Sequence, residues 1–595
     1  MSSPSPRSVY DERIAQARAM LAAMGQKDDR IANLRLLVFL AAVVLSGVCY
    51  GLGLTFLWLL LPVAAFAGLV IYHDRVLKSR DRAQKQIGYY EQGVRRLENQ
   101  WQQDGNQKLD FVPAEHLYAF DLDIFGEGSL FQLLNRARTG SGEHTLAAWL
   151  LSHSEHATIL SRQAAVRELA GKIAFRELLA LEGQEIENKV APGVFAVWLR
   201  RAPRLVSRIP EPVLLGVSAL GALSIVLSGV VASPAPALIM LTLSVFLLSF
   251  FKNDLMSLSG ELAEPKRELA LLKHLLEILE QERFESETAR ALQARLSEKS
   301  TGASHAIARL NRLIDYYDLQ RNQFFMPFAL ILLWGYHVGK RLESWRTEYG
   351  PEVQVWLDVV GEFEALASLA TYAYENPEAI YPELREGAPA LHAVDLGHPL
   401  LPAGERVCND VSLGKEHRVM VVSGSNMSGK STYLRTIGIN WVMGMAGAPV
   451  LATRFEASLI QIGATLRIQD SIQRGASRFY AELKKIQAVF ERAQGNVPLL
   501  FLFDEILHGT NSHDRGIGAT AMVKGLLKYN TIGLVTTHDL SLTGSIGALG
   551  EEVANFHFCD QWSPEGLSFD YRLRPGVVQS SNALNLMKSL GLPDA

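Results

Sequence analysis

Val419-Met420-Val421-Val422-Ser423-Gly424-Ser425-Asn426-Met427-Ser428-Gly429-Lys430-Ser431-Thr432 is the stretch that decides the fold of the C-terminal third of the chain. Its apolar start predicts a buried strand, and its later part fits the phosphate-binding pattern G-x-x-x-x-G-K-S/T. Glycines let the backbone curl so that its N–H groups face phosphate oxygens, and the positive end of the next helix adds to the attraction. Apolar residues at helical spacing follow Thr432 and predict that helix. The stretch therefore indicates a strand, a phosphate-binding loop and a helix.

The whole loop is a candidate nucleotide site, with ATP as the expected ligand. Lys430 would reach the β- and γ-phosphates, and Ser431 would bind Mg²⁺. A glycine-rich turn without a ligand is the alternative, and the flanking strand and helix argue against it. The nucleotide-binding candidates are Gly424, Ser425, Asn426, Met427, Ser428, Gly429, Lys430, Ser431 and Thr432.

A second motif is the apolar run Leu499–Phe503, which ends in Asp504 and Glu505. This pattern is typical of a Walker B strand, in which Asp504 holds Mg²⁺ through water and Glu505 orients or deprotonates the attacking water. Two adjacent carboxylates at the end of a buried strand are costly without a cation, which favours a metal nearby. The predicted Mg²⁺ ligands are therefore Ser431 and, through water, Asp504.

Two further residues complete the predicted site. His538 follows an apolar strand and is placed to contact the γ-phosphate and respond to its loss, although a lone histidine is also a common structural residue. Ser477 opens a helix whose free N–H groups make an anion site. In an ABC-type dimer Ser477 would complete the nucleotide pocket of the partner. By itself the segment around Ser477 is also compatible with an ordinary capped helix start.

Composition limits the possible classes of protein. The 595 residues are enough for several domains, and 48% hydrophobic residues beside 20% charged residues favour membrane segments. A formal net charge of −4 gives no overall basic surface of the kind that nucleic-acid binding favours. Three scattered cysteines, Cys49, Cys408 and Cys559, are too few for a disulfide framework or a zinc site. A reducing cytosolic setting is expected for the polar regions.

Two runs without a charged residue predict membrane hairpins, Leu36–Tyr72 and Pro212–Phe251. As one helix the first run would measure about 55 Å against a hydrocarbon core of about 30 Å, so two helices that turn near Gly51 and Gly53 fit better. The second run breaks at Ser233–Pro236. A buried hairpin inside a large soluble core is the alternative.

Basic residues flank both runs and predict their orientation. By the positive-inside rule all flanks lie in the cytoplasm, so we expect a multi-pass protein of the cell (inner) membrane with four transmembrane helices in the lipid bilayer. A shorter apolar run, Phe324–His337, has only 14 residues and favours a buried core helix over a fifth span. The flanking residues are Arg30, Arg35, Arg75, Lys78, Arg80, Arg82, Arg200, Arg201, Arg204, Arg208 and Lys252.

Together the motifs resemble the ATPase domain of the MutS family of DNA mismatch-repair proteins. The resemblance is carried by Gly424–Thr432, by Gly475-x-Ser477-x-Phe479-x-x-Glu482, by Asp504-Glu505-x-x-x-Gly509-Thr510 and by Thr537-His538. Weaker matches extend into the helical region, including Leu133–Thr139, Arg162–Val166 and Phe363–Ala373, and at the C-terminal end in the helix expected from Asn582 to Leu590. The resemblance implies ATP hydrolysis with Mg²⁺, a homodimer and duplex DNA as a partner.

The chain also departs from the family pattern. Ser425 stands where proline is usual and Arg478 where threonine is usual, and neither change removes a phosphate or metal ligand. No room remains before Asp110 for the mismatch-reading and connector domains. Phe125-Gly126-Glu127 matches the family's wedge pattern by letter, but its surroundings are typical of a core segment.

The predicted fold class is multidomain: α-helical transmembrane hairpins, an all-α core and lever domain, and a C-terminal α/β P-loop ATPase domain of ABC type. The expected boundaries are an N-terminal cytoplasmic segment 1–35, hairpin 36–72, linker and first core part 73–211, hairpin 212–251, lever and core helices 252–387 and ATPase 388–595.

Three functions stay open at the level of sequence. The first is a membrane-anchored MutS-like ATPase that binds DNA in a repair-related role, which predicts a groove lined by lysine and arginine. The second is an ATP-driven switch that acts on membrane or envelope partners without DNA, which predicts a neutral or acidic lever surface. The third, an ABC exporter, is disfavoured because four spans are few and no LSGGQ-like motif occurs.

Overall fold

The computed structural model describes residues 4–53, 55–103, 109–113, 115–183, 198–199, 205, 208–256, 266–297, 302–466, 478–507, 512–563 and 566–578. Among these residues, helices build the chain up to residue 375 and strands occur only from residue 383 onward. The predicted combination of a helical region and a C-terminal α/β domain is confirmed. The helices of the first region are α1 (Pro6–Leu52), α2 (Leu60–Leu97), α3 (Leu130–Leu134), α4 (Gly140–Leu151), α5 (His156–Gly171), α6 (Ile173–Gly183), α7 (Glu211–Val230), α8 (Ala235–Ser249), α9 (Lys266–Gln281), α10 (Glu287–Ala294), α11 (Ala303–Asp318), α12 (Met326–Ile331) and α13 (Trp334–Glu375).

The first hairpin is formed by α1 and α2. Ser5 caps the start of α1, since its Oγ accepts a hydrogen bond from the Ser8 N–H at 3.3 Å. The helix ends at Leu52, and Gly53 follows with φ 64°, a conformation that glycine adopts without steric cost. The predicted turn is therefore in place. The helices are much longer than the apolar run, 47 and 38 residues, because the polar flanks continue in the same helices.

The polar end of this hairpin docks on the helical core. The Tyr10 hydroxyl donates to Glu375 Oε1 at 3.0 Å, and Arg96 Nε donates to Glu375 Oε2 at 2.8 Å. The Tyr90 hydroxyl donates to Glu177. The apolar tip stands apart from the core, with only 6% of its most apolar window buried in either helix.

The second hairpin consists of α7 and α8, with its break at the predicted Ser233–Pro236. Ala232 in the turn has φ 53°, and the Ser228 Oγ accepts from the Ala237 N–H at 3.0 Å. Only 11% of the most apolar window of α7 is buried, so the alternative of hairpins hidden in a soluble core is wrong for this chain.

The four expected spans are not equal in length. Three helices among the described residues are long and apolar enough to cross a membrane, namely Pro6–Leu52, Leu57–Leu97 with its initial 3₁₀ turn, and Glu211–Val230. Helix α8 has 15 residues, or about 22 Å, which is short of a hydrocarbon core of about 30 Å.

The prediction of one buried helix over Phe324–His337 is wrong. The run contains the six-residue helix α12, a break at Leu333 with φ 49°, and the first turn of α13. Phe324 is 88% exposed, so part of the run faces away from the core. Pro327 starts α12, because proline fits the first turn of a helix, and the left-handed Leu333 separates α12 from α13.

The core is organised around α13, a helix of 42 residues that includes Pro351 and buries Trp345 and Phe363 completely. The resemblance predicted only its end, Phe363–Ala373. The leucines of α9 that are spaced three and four residues apart are buried, namely Leu269, Leu272, Leu276 and Leu279. Phe125 is 6% exposed and its ring stacks on Phe131 with the ring centroids 5.0 Å apart, which confirms that Phe125 is a core residue and not a wedge.

The C-terminal domain is built on two sheets. The larger has the strand order β10-β9-β4-β8-β7-β6, in which all neighbours are parallel except β10 and β9. Strands β9 and β10 form an antiparallel hairpin at one edge of this sheet. The smaller sheet has the order β1-β5-β2-β3. The elements are β1 (Glu383–Arg385), β2 (Leu391–Leu396), β3 (Asn409–Leu413), β4 (Val419–Ser423), α14 (Lys430–Ala446), β5 (Arg454–Ser458), β6 (Gln461–Thr465), α15 (Arg478–Ala493), β7 (Leu499–Asp504), α16 (Ser512–Leu526), β8 (Thr531–Thr537), α17 (Leu540–Gly547), β9 (Val553–Ser563) and β10 (Gly566–Pro575).

Candidate functional site

The predicted phosphate-binding loop leaves the C-terminal end of β4, in the middle of the larger sheet. All five residues of β4 are buried, and the strand lies between β8 and β9. Two glycines of the loop have a structural reason. A Cβ on Gly424 would lie only 2.8 Å from Ser428 Oγ, and Gly429 has φ 103° at the start of α14, a conformation that glycine adopts without steric cost. Ligands of open parallel sheets bind at this edge. The fold therefore places the loop where a nucleotide is expected.

Lys430 lies inside this loop with 4% of its surface exposed. Its Nζ donates to the carbonyl oxygens of Gly424 at 2.9 Å and Ser425 at 2.8 Å, and lies 3.7 Å from Glu505 Oε1. Burial lowers the pKa of Lys430, and the carboxylates of Glu505 and Asp504 act in the opposite direction. These contacts hold the Lys430 amino group at the centre of the loop, where a phosphate would replace weaker backbone acceptors.

Asp504 and Glu505 end β7 next to the loop, as predicted. The Thr536 hydroxyl on the neighbouring strand donates to Asp504 Oδ1 and accepts from the Glu505 N–H at 3.1 Å. Glu505 has φ 47°, which is uncommon for a residue with a side chain and often marks a functional position. One threonine thus holds the Asp504 carboxylate and the Glu505 backbone.

His538 follows β8, and its Nδ1 lies 3.2 Å from Glu505 Oε1. Lys430 and His538 therefore approach the same carboxylate oxygen from two elements. The side chain of Glu505 is 24% exposed and that of His538 is 37% exposed, so water can reach both. The structure brings these three predicted residues into one polar cluster.

The residues present fit ATP and Mg²⁺. Among the described residues, the buried Oγ atoms of Ser425 and Ser428 have no hydrogen-bond partner, and phosphate oxygens would accept hydrogen bonds from them. Ser431 in the first turn of α14 and Asp504 offer the oxygen ligands that Mg²⁺ prefers. Within the described ranges no group of three or more His, Cys, Asp or Glu residues could hold a metal.

The remaining loop residues form its outer edge. Asn426, Met427 and Thr432 are exposed, and Met427 is 83% exposed with φ 73°. An exposed apolar side chain next to a nucleotide site is available for contact with a ligand or a partner. Their nucleotide contacts stay a prediction.

The predicted trans residue Ser477 lies outside the described residues, as do Gly475 and the turn His508–Asn511. Glu482, from the same motif as Ser477, is described and is 1% exposed. Its Oε1 accepts from the Leu507 N–H at 2.5 Å. Glu482 therefore holds the backbone that follows Glu505, a role that the motif alone did not indicate.

Tyr571 is a site residue that sequence reasoning missed. Its ring lies 3.1 Å from the position of a Cβ on Gly429, and the side chain is 43% exposed. The residue has φ 54° in an irregular part of β10, where Asn409 Nδ2 donates to the Tyr571 carbonyl at 2.9 Å. An exposed ring beside the loop is placed to stack against a base. The irregular pairing of β10 with β9 places the Tyr571 ring beside the loop, and no local sequence pattern indicates such an irregularity.

Asp121 is a second missed residue, and it joins the helical core to the C-terminal domain. It is fully buried, its Oδ1 accepts from the Leu466 N–H at 2.8 Å, and its Oδ2 pairs with Lys485. Arg435 on α14 donates to the Asp121 carbonyl at 3.1 Å. Leu466 and Lys485 lie on either side of the segment that contains Ser477. One core residue thus contacts both the helix after the phosphate loop and the flanks of the predicted trans segment.

The parallel sheet, the loop around Lys430 and the carboxylates that end β7 define a P-loop nucleotide-binding domain. Residues 420–595 match MutS domain V, so this part of the chain is similar to the ATPase domain of MutS-family proteins.

Curated relatives give the extent of the similarity. The chain is 34% identical over 204 residues to "Endonuclease MutS2" of Thermomicrobium roseum, an alignment that covers 33% of this chain and 24% of the relative. It is 30% identical to "Putative endonuclease MutS2" of Bacillus subtilis, over 42% of this chain and 31% of the relative. It is 29% identical to "DNA mismatch repair protein MutS" of Natronomonas pharaonis, over 41% and 28%. The chain thus spans about a quarter to a third of the length of these relatives.

Proposed function

We propose that this chain is a membrane-anchored ATPase of MutS type, which binds ATP with Mg²⁺ and uses hydrolysis to rearrange its helical core. The observation that carries the proposal is the convergence of Lys430 and His538 on Glu505 at the edge of the phosphate loop. The family match to residues 420–595 supports the nucleotide and the reaction.

The reaction follows from the residues in the cluster. Lys430 and the N-terminal end of α14 hold the β- and γ-phosphates. Glu505 accepts a proton from a water whose oxygen attacks the γ-phosphorus, while the bond from that phosphorus to the bridging oxygen breaks and releases ADP. His538 holds Glu505 in position and responds to the loss of phosphate. Mg²⁺, held by Ser431 and through water by Asp504, would neutralise charge on the phosphate oxygens.

A homodimer is part of the proposal. The family resemblance gives Ser477 the role of completing the nucleotide pocket of a second copy. The contacts of Asp121 on both sides of that segment would then pass a change at the dimer site to the helical core. Dimerisation would increase on addition of ATP to a variant that binds but does not hydrolyse it.

The exposed apolar hairpins support a membrane anchor. Hydrocarbon chains would cover side chains such as Val44, Leu61 and Val230, which are 66%, 77% and 77% exposed. Basic residues flank both hairpins, which by the positive-inside rule supports a cytoplasmic location for the polar domains at the inner membrane. We propose that both hairpins insert, with α8 as the shortest of the four helices.

Duplex DNA is the second candidate partner, since the relatives include an endonuclease and a DNA mismatch repair protein. The charges of the lever helices favour a switch without DNA. From Lys266 to Arg321 the sequence has ten lysines and arginines and nine aspartates and glutamates. Some of them are paired, such as Arg295 with Glu362 at 3.0 Å. A surface of balanced charge lacks the basic stripe that phosphate contacts require.

Phosphate release by the full chain in lipid nanodiscs tests the proposal, with and without duplex DNA at two salt concentrations. Glu505→Gln should keep ATP binding and lower the rate at least about 100-fold, since it removes the base. Glu551→Gln, an exposed glutamate of the same domain, is the matched control. Normal hydrolysis by Glu505→Gln would refute the assigned base. A rate that rises with DNA in a salt-sensitive way would select the DNA-binding alternative.

A further inference from the structure

An uncharged segment precedes the long core helix α13 and contacts the second hairpin. Residues 322–339, between Arg321 and Lys340, contain no aspartate, glutamate, lysine or arginine. Residues 322–333 of this stretch, which we call the wedge segment, include α12 and connect α11 to α13. Both α11 and α13 contribute buried residues to the helical core, so the segment leaves the core and returns to it. Its 12 residues are too few to cross a bilayer.

The wedge segment packs against the second hairpin through backbone carbonyls. Ser218 Oγ on α7 donates to the Leu332 carbonyl at 2.9 Å, and Ser244 Oγ on α8 donates to the Ile331 carbonyl at 3.3 Å. The last carbonyls of a helix have no partner within the helix. Where water is absent, a broken helix needs such hydroxyl groups from neighbouring helices. These contacts are therefore suited to a non-aqueous setting.

The contact lies halfway along α7. Gly221 follows Glu211 by ten residues, or about 15 Å along a helix, which is half of a hydrocarbon core of about 30 Å. A Cβ on Gly221 would lie 2.6 Å from the Ile331 carbonyl oxygen. Glycine therefore permits the close approach, as small residues do between membrane helices. If α7 spans, the end of α12 lies near the middle of the bilayer.

Large apolar side chains cover the outer face of the wedge segment. Phe324, Met326 and Phe328 are 88%, 49% and 45% exposed, while Ala329 and Ile331 on the inner face are 4% exposed. Burial of such side chains in an apolar phase is favourable by about 1.5–3 kcal/mol each, so water is a poor neighbour for this face.

The segment is held in a defined shape. Asn322 Oδ1 accepts from the Phe324 N–H at 2.9 Å, and the ring of Phe325 contacts Trp334 with 5.4 Å between the centroids. Trp334 Nε1 in turn donates to the Tyr316 carbonyl at 2.7 Å. The two ends of the wedge segment are thus held against each other and against α11.

We propose that the wedge segment is a re-entrant part of the membrane anchor, whose Phe324, Met326 and Phe328 side chains contact lipid acyl chains. The proposal rests on the proposed insertion of the second hairpin, with which the segment shares hydrogen bonds. It extends the bilayer contact to the first turn of α13. The lipid-facing element and the core helix that reaches Glu375 are then one continuous piece of chain.

Fluorescence quenching in bilayers tests this contact. A background with Cys49, Cys408 and Cys559 replaced by alanine, checked for unchanged ATPase activity, receives one cysteine with an environment-sensitive fluorophore. The full chain is placed in nanodiscs whose lipids carry a nitroxide at mid-chain. Phe324→Cys and Phe328→Cys test the wedge segment, and Leu223→Cys on α7, 60% exposed, tests the hairpin. Leu319→Cys, 45% exposed just before the segment, is the aqueous control.

We expect quenching at positions 324 and 328 to be similar in extent to quenching at position 223, and we expect little quenching at position 319. Quenching at 223 without quenching at 324 and 328 overturns the wedge proposal and leaves the anchor intact. No quenching at 223 overturns the proposed anchor and the wedge proposal with it. Disulfide formation between two copies at Phe324→Cys, without lipid quenching, would show that a second copy covers this face and would also overturn the proposal.

Discussion

At the scale of single residues, Glu505, the proposed catalytic base, is held against its backbone preference. A non-glycine residue with φ 47° costs about 1–3 kcal/mol, and the hydrogen bond from its N–H to Thr536 offsets part of that cost. The strain points the carboxylate toward Lys430 and His538. Substitutions around Glu505 should therefore change the rate of hydrolysis more than the affinity for ATP.

His538→Ala should lower kcat by about 100-fold, because it removes the hydrogen bond that positions Glu505. ATP affinity should stay nearly unchanged, since the phosphate loop is untouched. Steady-state hydrolysis and equilibrium binding measure the two effects separately. His417→Ala, a half-buried histidine near the opposite end of β4, is the control. An unchanged kcat in His538→Ala would show that this histidine is structural.

Tyr571→Ala should raise the Kd for ATP about tenfold, because stacking of an aromatic ring on a base contributes about 1–3 kcal/mol. Tyr571→Phe keeps the ring and should bind as the native chain does. Alanine and tyrosine are both disfavoured at φ 54°, so the substitution leaves the backbone strain at this position unchanged. Equal affinity of both variants and the native chain would exclude a contact between this ring and the nucleotide.

At the scale of elements, α13 links the parts of the helical region. It has 42 residues, or about 63 Å, and begins next to the second hairpin, where Leu333 and Tyr336 are buried. It ends at Glu375, which binds Tyr10 and Arg96 at the base of the first hairpin. Both hairpins are thus attached to one helix. A movement of the C-terminal domain against this helix would reach both.

Glu364 on α13 makes the core sensitive to pH. It is buried and binds the backbone N–H groups of Arg138 and Thr139, and burial raises its pKa to about 7. The unfolded chain loses this proton near pH 4.5, so it binds fewer protons than the folded chain between there and pH 7. Stability should therefore fall by about 3 kcal/mol as the pH rises through this window and then level off. Thermal unfolding of the native chain and Glu364→Gln from pH 5 to pH 8 measures this, and an equal pH dependence in both would contradict it.

The contact of Asp121 with the C-terminal domain gives a second prediction for this scale. Asp121→Ala should lower the unfolding free energy by about 2–3 kcal/mol, because the Leu466 N–H and Lys485 lose a buried acceptor. Asp121→Asn keeps an oxygen for the N–H and should lose less. Denaturant-induced unfolding of the two variants, with and without ATP, measures each loss of unfolding free energy. A native-like Asp121→Ala would mean that this joint does not hold the two regions together.

Sequence patterns predicted those parts of the molecule that local chemistry dictates. The phosphate loop, the end of β7 and the position of His538 follow from residue types at fixed spacing, and charge-free runs marked both hairpins. The contact of Tyr571 arises from irregular strand pairing, and the contacts of Asp121 arise from packing between distant parts of the chain. No local sequence pattern indicates either. The break at Leu333 was missed because the apolar run around it shows no change in composition. Ser477 stays a prediction, since it lies outside the described residues.

At the scale of the whole molecule, a domain that matches MutS domain V is joined to a helical region with exposed apolar hairpins. If the hairpins insert, the ATPase works at a membrane surface. Any partner of the ATPase would then bind it at that membrane surface.

Extraction of membranes at alkaline pH tests whether the hairpins insert into a bilayer. Membranes from cells that produce the full chain are washed with sodium carbonate at about pH 11, which releases proteins bound only by surface contacts. We expect the chain to stay in the membrane fraction and to leave it only with detergent. Release of the intact chain into the carbonate wash would contradict membrane insertion and, with it, the proposed site of action.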